Sequence, residues 1–501
     1  MQSQRPSIRR SRSRRSILGV PTTLPASSSA TAPVGPQAAA PGAAGRQDLD
    51  LALAHRATQG FTRATLLDIR SAGRAAWLDA QLNPQSIPDP VADAFVARFP
   101  SVSMSLPDLH ANFANSALVP CEHLQQVCVA RSVLSERQLL ERVVEFWHDH
   151  FNVDQLETIR GRLFFTAYDR DTIRQHALGR FEDLLVSVAK SPAMSAYLDG
   201  DVNVVGAANE NFGREVMELH TLGVDGPYTE DDVKEISRCF TGWRYEYWHE
   251  ANPGDFYFDA ADHDFGPKTV LGVQLPGGGG VQDGLDMLHM LAVHPKTLDY
   301  VSRKLVGWLS GIEPPQAAVD RVIAVWQATN GDLREIVREA LSDEVLRLCA
   351  ATTRLKLKRP FHFGIGLLRQ LSAVTSDDFL GAARIFELVG QRPYVWGTPD
   401  GYPDTLLAWG SDVNGRWAYA TNLLNGGLPG LTISTSALTA LRGSAPNPFL
   451  AQRLAAEMAG GLIPEAEVAR VQQYIGSRPF TDQVLRDAAA LLAASPGYQF
   501  Y

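Results

Sequence analysis

The sequence predicts a mainly α protein: one large helical domain with a small β-hairpin excursion around residues 255–275. Three observations carry this. From residue 46 onward, apolar residues recur with a period near 3.6 in segments separated by short connections. No composition break or internal repeat divides the chain beyond that point. Only one stretch, between Arg244 and Gly280, trades the helical period for clustered aromatics with glycine and proline.

Residues 1–45 stand apart from the domain at 46–501. Residues 1–20 hold Arg5, Arg9, Arg10, Arg12, Arg14 and Arg15 and no acid. Ser13-Arg14-Arg15-Ser16-Ile17-Leu18 resembles the core of a twin-arginine export signal. Only Ile17, Leu18 and Val20 then precede Pro21, a short apolar segment for such a signal. Residues 21–45 are almost all Ala, Pro, Ser, Thr and Gly, which cannot nucleate a core. The expectation is an exported protein, periplasmic or extracellular, with a disordered tail on a cytoplasmic protein as the alternative.

Within the domain, Ser135 is placed to cap a helix carrying Leu140, Val143, Val144, Trp147 and Phe151 on one stripe. Asp171 to Ala189 reads as helix, with Leu184, Leu185 and Val188 inward. Thr229-Glu230-Asp231-Asp232 imitates a capping box and opens a helix facing Val233, Ile236, Phe240 and Trp243 inward. Further helical periods cover 282–293, 296–310, 316–328, 332–341, 360–372, 376–389, 447–460, 464–476 and 480–494. In the aromatic stretch, Phe256 to Phe258 and Thr269 to Leu275 read as two strands of a hairpin. Gln391 to Gly410, with Pro393, Pro399, Gly401 and Pro403, reads as irregular.

Charge and composition narrow the function. The formal net charge is −9, from 46 basic and 55 acidic residues. Setting aside the six leader arginines leaves 40 basic residues, so the body sits near −15. An acidic body argues against nucleic-acid or anionic-membrane binding as the main activity. No run of eighteen apolar residues exists to span a bilayer. Cys121, Cys128, Cys239 and Cys349 contain no CxxC pair. On one helix, Cys121 and Cys128 would lie about 10.5 Å apart along the axis, too far for a disulfide. Buried, unpaired thiols are the expectation. No GxSxG, HExxH or GxxxxGK[ST] string occurs, and Gly277 to Gly280 does not match GxGxxG.

Three segments carry candidate chemistry. In Asn209–Gly223, a helical wheel of about 100° per residue puts Asn211, Glu215, Glu218 and Leu222 on one stripe. Arg214 borders that stripe and His220 faces away. Two carboxylates beside an apolar face are costly unless paired, protonated or bound to a cation. Glu215 and Glu218 are therefore candidates for metal ligation or acid–base work, with Arg214 as a charge-stabilising partner or as a plain ion-pair neighbour. In Trp147-His148-Asp149-His150-Phe151, His148 and His150 lie about 200° apart on a regular helix. They can share an ion only where the helix ends. In Asp262-His263-Asp264-Phe265-Gly266-Pro267-Lys268, His263 and Asp264 are candidate ligands and Lys268 is a candidate for meeting an anion. A solvated Asp-rich turn is the plainer reading of that segment.

Taken in order, these strings resemble a known family. Asn209-Glu210-Asn211-Phe212 through Arg214-Glu215, then Glu218-Leu219-His220-Thr221-Leu222-Gly223-Val224, Tyr228-Thr229 and Phe240-Thr241-Gly242-Trp243, are similar to the hallmark of the bacterial domain-of-unknown-function 1800 (DUF1800) family. Phe146-Trp147-His148-Asp149-His150-Phe151 resembles its upstream motif, and His263-Asp264 with Gly266-Pro267-Lys268-Thr269 and Leu271-Gly272 its middle one. Leu388-Val389-Gly390-Gln391 and Thr398-Pro399-Asp400-Gly401-Tyr402-Pro403-Asp404-Thr405 follow in order. The resemblance implies a mainly helical, exported protein. It also implies a protein partner from a sulfatase-like exported family encoded nearby, and it transfers no reaction and no catalytic residues.

The expectation is thus an exported enzyme, metal-dependent or acid–base and hydrolase-like. A divalent metal would sit among His148, His150, Glu215, Glu218, His263 and Asp264, with Lys268 or Arg214 steadying developing charge. The alternative is a non-catalytic binding or assembly protein in which the same residues lock helices together, with the aromatic segment 244–265 as its docking surface.

Overall fold

The computed structural model describes residues 48–157, 159–247, 252–351, 356–410, 413–476 and 478–501. The export-signal reading therefore lies outside the described residues. Helices dominate, and the described residues contain three two-stranded antiparallel sheets. The expected helices appear within a few residues of their sequence bounds, among them Val281–Val293, Pro295–Leu309, Gln316–Thr329, Pro360–Gln370 and Asp482–Ala494. Thr229 and Asp232 form the reciprocal capping box and open Glu230–Cys239. No helix among the described residues is long and apolar enough to cross a membrane.

The element that organises the interior is Gln138–His150. Leu139, Val143, Val144, Phe146 and Trp147 are buried, as expected of its apolar stripe. Yet Glu141, Arg142, His148 and His150 are buried too. A helix enclosed on all sides must find partners for such groups. It finds them on the seven-residue π-helical segment Tyr168–Arg174 on one side and on Lys356 to His362 on the other.

Three helix boundaries differ from expectation. Ser135 ends the preceding helix Leu118–Leu134, and Arg137 occupies the N-cap of Gln138–His150. The Ser135 hydroxyl instead donates to Asp89 Oδ2 at 2.5 Å and accepts the Arg137 N–H at 3.0 Å. The stretch from Asp171 is not one helix. It breaks before Phe181–Lys190, where Arg180 bridges to Asp332 and the Phe181 N–H donates to Gly331 O. The helix Glu210–Glu218 stops short of Leu222, because the His220 and Leu222 N–H groups reach back five residues, to Glu215 O and Met217 O, and unwind the last turn.

The β excursion has other partners than expected. Phe256–Phe258 pairs with Trp243–Tyr245, and Lys268–Val270 turns back on Val273–Leu275. The second hairpin closes through Leu271 (φ 50°) and Gly272 (φ 77°), the two left-handed residues of a tight type I′ loop. In the aromatic segment Trp243 and Tyr245 are buried, Tyr247, Phe256 and Phe258 pack partly against the core, and Phe265 is exposed.

Candidate functional site

Glu141, Glu145 and Asp149 lie four residues apart and so share one side of Gln138–His150. Each meets a buried cation. Glu141 takes both Arg174 amino groups at 2.9 Å. Glu145 accepts from His362 Nε2 at 2.8 Å and lies 3.4 Å from Arg359 Nη2. Asp149 Oδ2 takes Arg359 Nη1 at 2.6 Å. Arg359 itself is 1% exposed and lies over the Trp308 ring, which also carries the guanidinium of Arg142 and the ammonium of Lys356. Lys356 is ion-paired to Asp404 and donates to Gly307 O and Trp308 O.

The two acids that share Arg359 are not equivalent. Burial pushes the Glu145 carboxyl up, but His362, Arg359 and Arg142 outweigh it and bring it down to about 2. At Asp149 burial wins over Arg359, and the nearby Glu145 charge adds to it, so the carboxyl rises to about 6. Glu145 behaves as a fixed counter-ion, whereas Asp149 is poised to exchange a proton near neutrality.

Asp149 faces a cavity of about 610 Å³. Its wall includes His150, Tyr300, Lys304 and Trp308 from one side and Asp400, Tyr402 and Asp404 from the irregular loop on the other. Gly401 (φ 74°) makes that juxtaposition possible: a Cβ there would stand 2.0 Å from the Asp149 carbonyl oxygen. Behind the Asp149–Arg359 pair lies a smaller chamber of about 50 Å³, lined also by His148, Arg174 and Tyr394. Two wall residues hold the left-handed backbone that non-glycine residues rarely adopt, Glu313 (φ 49°) at the cavity and Tyr394 (φ 63°) at the chamber.

The cavity's polar groups are incompletely satisfied. The Lys304 ammonium makes no hydrogen bond or ion pair among the described residues and sits 5.3 Å from the Tyr300 ring centre. Burial lowers it to about 8 against the pull of Asp149 and Asp400. Asp400 Oδ1 accepts from Trp396 Nε1 at 3.1 Å and from Thr398 Oγ1, while its other oxygen has no described partner. Asp149 Oδ1 is likewise open, since Arg359 holds only Oδ2.

Of the residues singled out in the sequence, His150 alone lines this cavity. Its Nε2 donates to His220 O at 3.0 Å, which fixes the tautomer, and burial keeps the ring neutral well below its ordinary range. His148 lines the inner chamber and bonds Asp169 Oδ1 at 2.9 Å. Glu215 is half-buried, and burial with the Glu218 and Asp400 charges raises it to about 7, so it feels the cavity wall through Asp400. Glu218 is 3.1 Å from Arg214, which also holds Glu210 and Glu230 in a half-exposed cluster.

The third segment is a closed structural network. His263 Nδ1 donates to Thr241 O at 2.7 Å and its Nε2 lies 3.4 Å from Asp283. Asp264 is held by Arg238 and lowered to about 2 by it. Lys268, expected to meet an anion, is buried and spends its ammonium on Asp283 Oδ2 at 2.7 Å, on Gly266 O and on Asp264 O. Among the described residues no three His, Cys, Asp or Glu side chains converge to hold a metal ion. The expected single cluster of His148, His150, Glu215, Glu218, His263 and Asp264 therefore does not form, because each segment is drawn to a different counter-charge.

Sequence reasoning missed Glu145, Asp149, Lys304, Lys356 and Arg359. Two signals pointed to four of them and none to Lys304: acids at every fourth position along Gln138–His150, and the basic run Lys356-Leu357-Lys358-Arg359 directly before a proline-started helix. The family model described as protein of unknown function (DUF1800) matches residues 52–500. No curated protein and no solved structure matches the chain.

Proposed function

The chain belongs to the DUF1800 family of proteins of unknown function, and from that premise and the geometry of its cavity we propose that it is an acid–base enzyme, hydrolase-like in class. The observation that carries the reading is one 610 Å³ cavity onto which a half-satisfied carboxylate, Asp149, and an unpaired ammonium, Lys304, both open. Asp149 exchanges the proton with water or substrate, Arg359 orients its carboxyl, and Lys304 steadies negative charge that develops during reaction. Groups poised near 6 and 8 bracket neutral pH, where such a pair is most useful. The donor geometry favours this branch over a metal centre, since the described residues gather no three-ligand set. Export through the Arg14-Arg15 segment belongs to the same proposal and rests on sequence alone.

The test is depletion of small molecules from a cell extract, followed by mass spectrometry, with wild type and Asp149→Asn compared at pH 7. Wild type consumes at least one species that the variant leaves intact while both remain folded. Equal consumption by the two refutes the reading.

One observation favours the second reading, a binding or assembly protein. Leu406 and Leu407 follow the cavity-lining Thr405 and are 51% and 92% exposed. A protein partner, such as the sulfatase-like one that the family resemblance implies, would cover them. Affinity capture from the native host with wild type and Leu407→Asp tests this, and an unchanged set of captured proteins counts against it.

A further inference from the structure

We propose that the cavity takes a small anionic ligand, with its charged group seated on the Lys304 ammonium and its hydroxyl or amine donors on Asp400 and Asp149. This names the substrate class for the site proposed above and rests on that reading.

The chain uses lysine sparingly. Only seven of its 46 basic residues are lysine: Lys190, Lys234, Lys268, Lys296, Lys304, Lys356 and Lys358. Three of them are buried, and two of those three are tied to a carboxylate, Lys268 to Asp283 and Lys356 to Asp404. Lys304 differs in standing at a cavity with no ion pair or hydrogen bond to its ammonium among the described residues. Its helix neighbour Arg303 also lines the cavity but is engaged by Asp299 and Gln316. A desolvated ammonium without a partner is costly in the free protein, and an incoming anion removes that cost.

The groups around Lys304 set the sign of the pH dependence. Asp149 and Asp400 attract its proton, while Arg303 and Arg359 on the wall oppose it. His150 and His220 are held neutral, partly by Lys304 itself, and Tyr300 is raised to about 12, so none of the three supplies a counter-charge at neutral pH. Glu313 also lines the cavity, is exposed to water and has an interaction of its own within the chain. The remaining acids on the wall are spoken for on one oxygen only: Asp400 by Trp396 and Thr398, Asp149 by Arg359. The open oxygens accept hydrogen bonds but repel a second negative charge. They therefore fit the donor-bearing part of a ligand, not its anionic end.

Size and surface agree. At about 30 Å³ per water, 610 Å³ is the room of roughly twenty waters, which admits a small anion such as a sugar acid or a sugar phosphate together with several waters. The face of Trp308 is already occupied by three cations, so recognition here is by charge and hydrogen bonds and not by ring stacking.

The experiment is ¹³C reductive methylation of the whole protein followed by NMR titration of its seven lysines, with the Lys304 signal assigned by its loss in Lys304→Arg. The probes are inorganic phosphate and glucuronate, with glucose as the uncharged match. The expected result is a Lys304 midpoint near 8 that rises by at least one pH unit with one or both anions and not with glucose, a tenfold or greater tightening of the proton. Anion affinity then falls about tenfold per pH unit above that midpoint by linkage. A response to phosphate alone or to glucuronate alone identifies the anionic group. Asp400→Asn weakens glucuronate and does not weaken phosphate. A Lys304 midpoint at the ordinary lysine value, a midpoint that neither anion moves, or an equal response to glucose overturns the proposal. No turnover is needed, so the two readings fail separately. Lys304 responding while Asp149→Asn still consumes substrate removes only the acid–base reading, and the reverse pattern removes only this one.

Discussion

Glu145 and Asp149 share Arg359, are each less than a fifth exposed, and should respond to neutralisation with opposite signs. Glu145 sits at about 2 against an ordinary 4.5, so its ionised form is stabilised in the fold. Its contribution is present above pH 4.5 and is lost as pH falls through about 2. Asp149 sits at about 6 against 3.8, so its protonated form is the favoured one. Its contribution is present below pH 3.8 and is lost as pH rises through about 6. Each pH unit between the two values is worth about 1.4 kcal/mol, which makes both effects about 3 kcal/mol at pH 7. Glu145→Gln therefore loses about 3 kcal/mol at pH 7, because it strips Arg359 of its fixed counter-ion and His362, neutral at that pH, of its charged hydrogen-bond acceptor. Asp149→Asn imitates the protonated acid and leaves stability unchanged or raises it by up to about 3 kcal/mol. Urea unfolding followed by far-UV circular dichroism at pH 5, 6, 7 and 8 reads both. The Asp149→Asn advantage shrinks as pH falls through 6, whereas the Glu145→Gln deficit does not change over that range. A loss of stability in Asp149→Asn as large as that in Glu145→Gln would show both acids to be structural and would refute the reasoning.

Other expectations follow from the same contacts. Lys268→Met leaves Asp283 buried without its cation and costs about 3–5 kcal/mol in denaturant unfolding, and Lys268→Met combined with Asp283→Leu recovers most of that loss. Gly401→Ala forces a methyl onto the Asp149 carbonyl at a left-handed φ and costs at least about 1–3 kcal/mol, seen as a lower Tm. Burial raises Cys121, Cys128 and Cys239 to about 12 and Cys349 to about 11, so iodoacetamide at pH 8 labels few or none in the folded protein and all four in denaturant. Arg214→Ala breaks only the half-exposed Glu210, Glu218 and Glu230 contacts, so it costs under about 1 kcal/mol and leaves substrate consumption intact.

The helices were legible because each buries one continuous stripe, and the period of that stripe is local information. Capping at Thr229 was legible for the same reason: donor and acceptor lie three residues apart. Strand pairing was not. Phe256–Phe258 read correctly as a strand, but its partner Trp243–Tyr245 ends the path of the preceding helix, and nothing in either string states that they meet. The site was half legible. The segment Trp147–Phe151 and the loop Thr398–Thr405 were both noticed, yet the attention fell on imidazoles. The decisive residue was Asp149, between two histidines whose rings turn to Asp169 and to His220 O. What selects Asp149 is the competition between one guanidinium and two carboxylates, which exists only once Arg359, 210 residues away in sequence, is placed between them.

That competition also separates structural charge from functional charge in an interior that holds both. His263, Asp264 and Lys268 looked as reactive as any residues in the chain, but their contacts close on Thr241, Arg238 and Asp283. Networks closed in this way rigidify the packing of helices and leave nothing for a ligand to complete. At the cavity the accounting ends differently: one ammonium and two carboxylate oxygens are left with bonds still to make. Holding Asp149 ionised there lowers the stability of the fold by about as much as ionised Glu145, one turn earlier, raises it. Asp149 has a structural partner in Arg359, but Glu145 already supplies that guanidinium with a counter-charge. The oxygen that Arg359 leaves open on the cavity is what gives the Asp149 carboxyl something to offer a group from outside the fold.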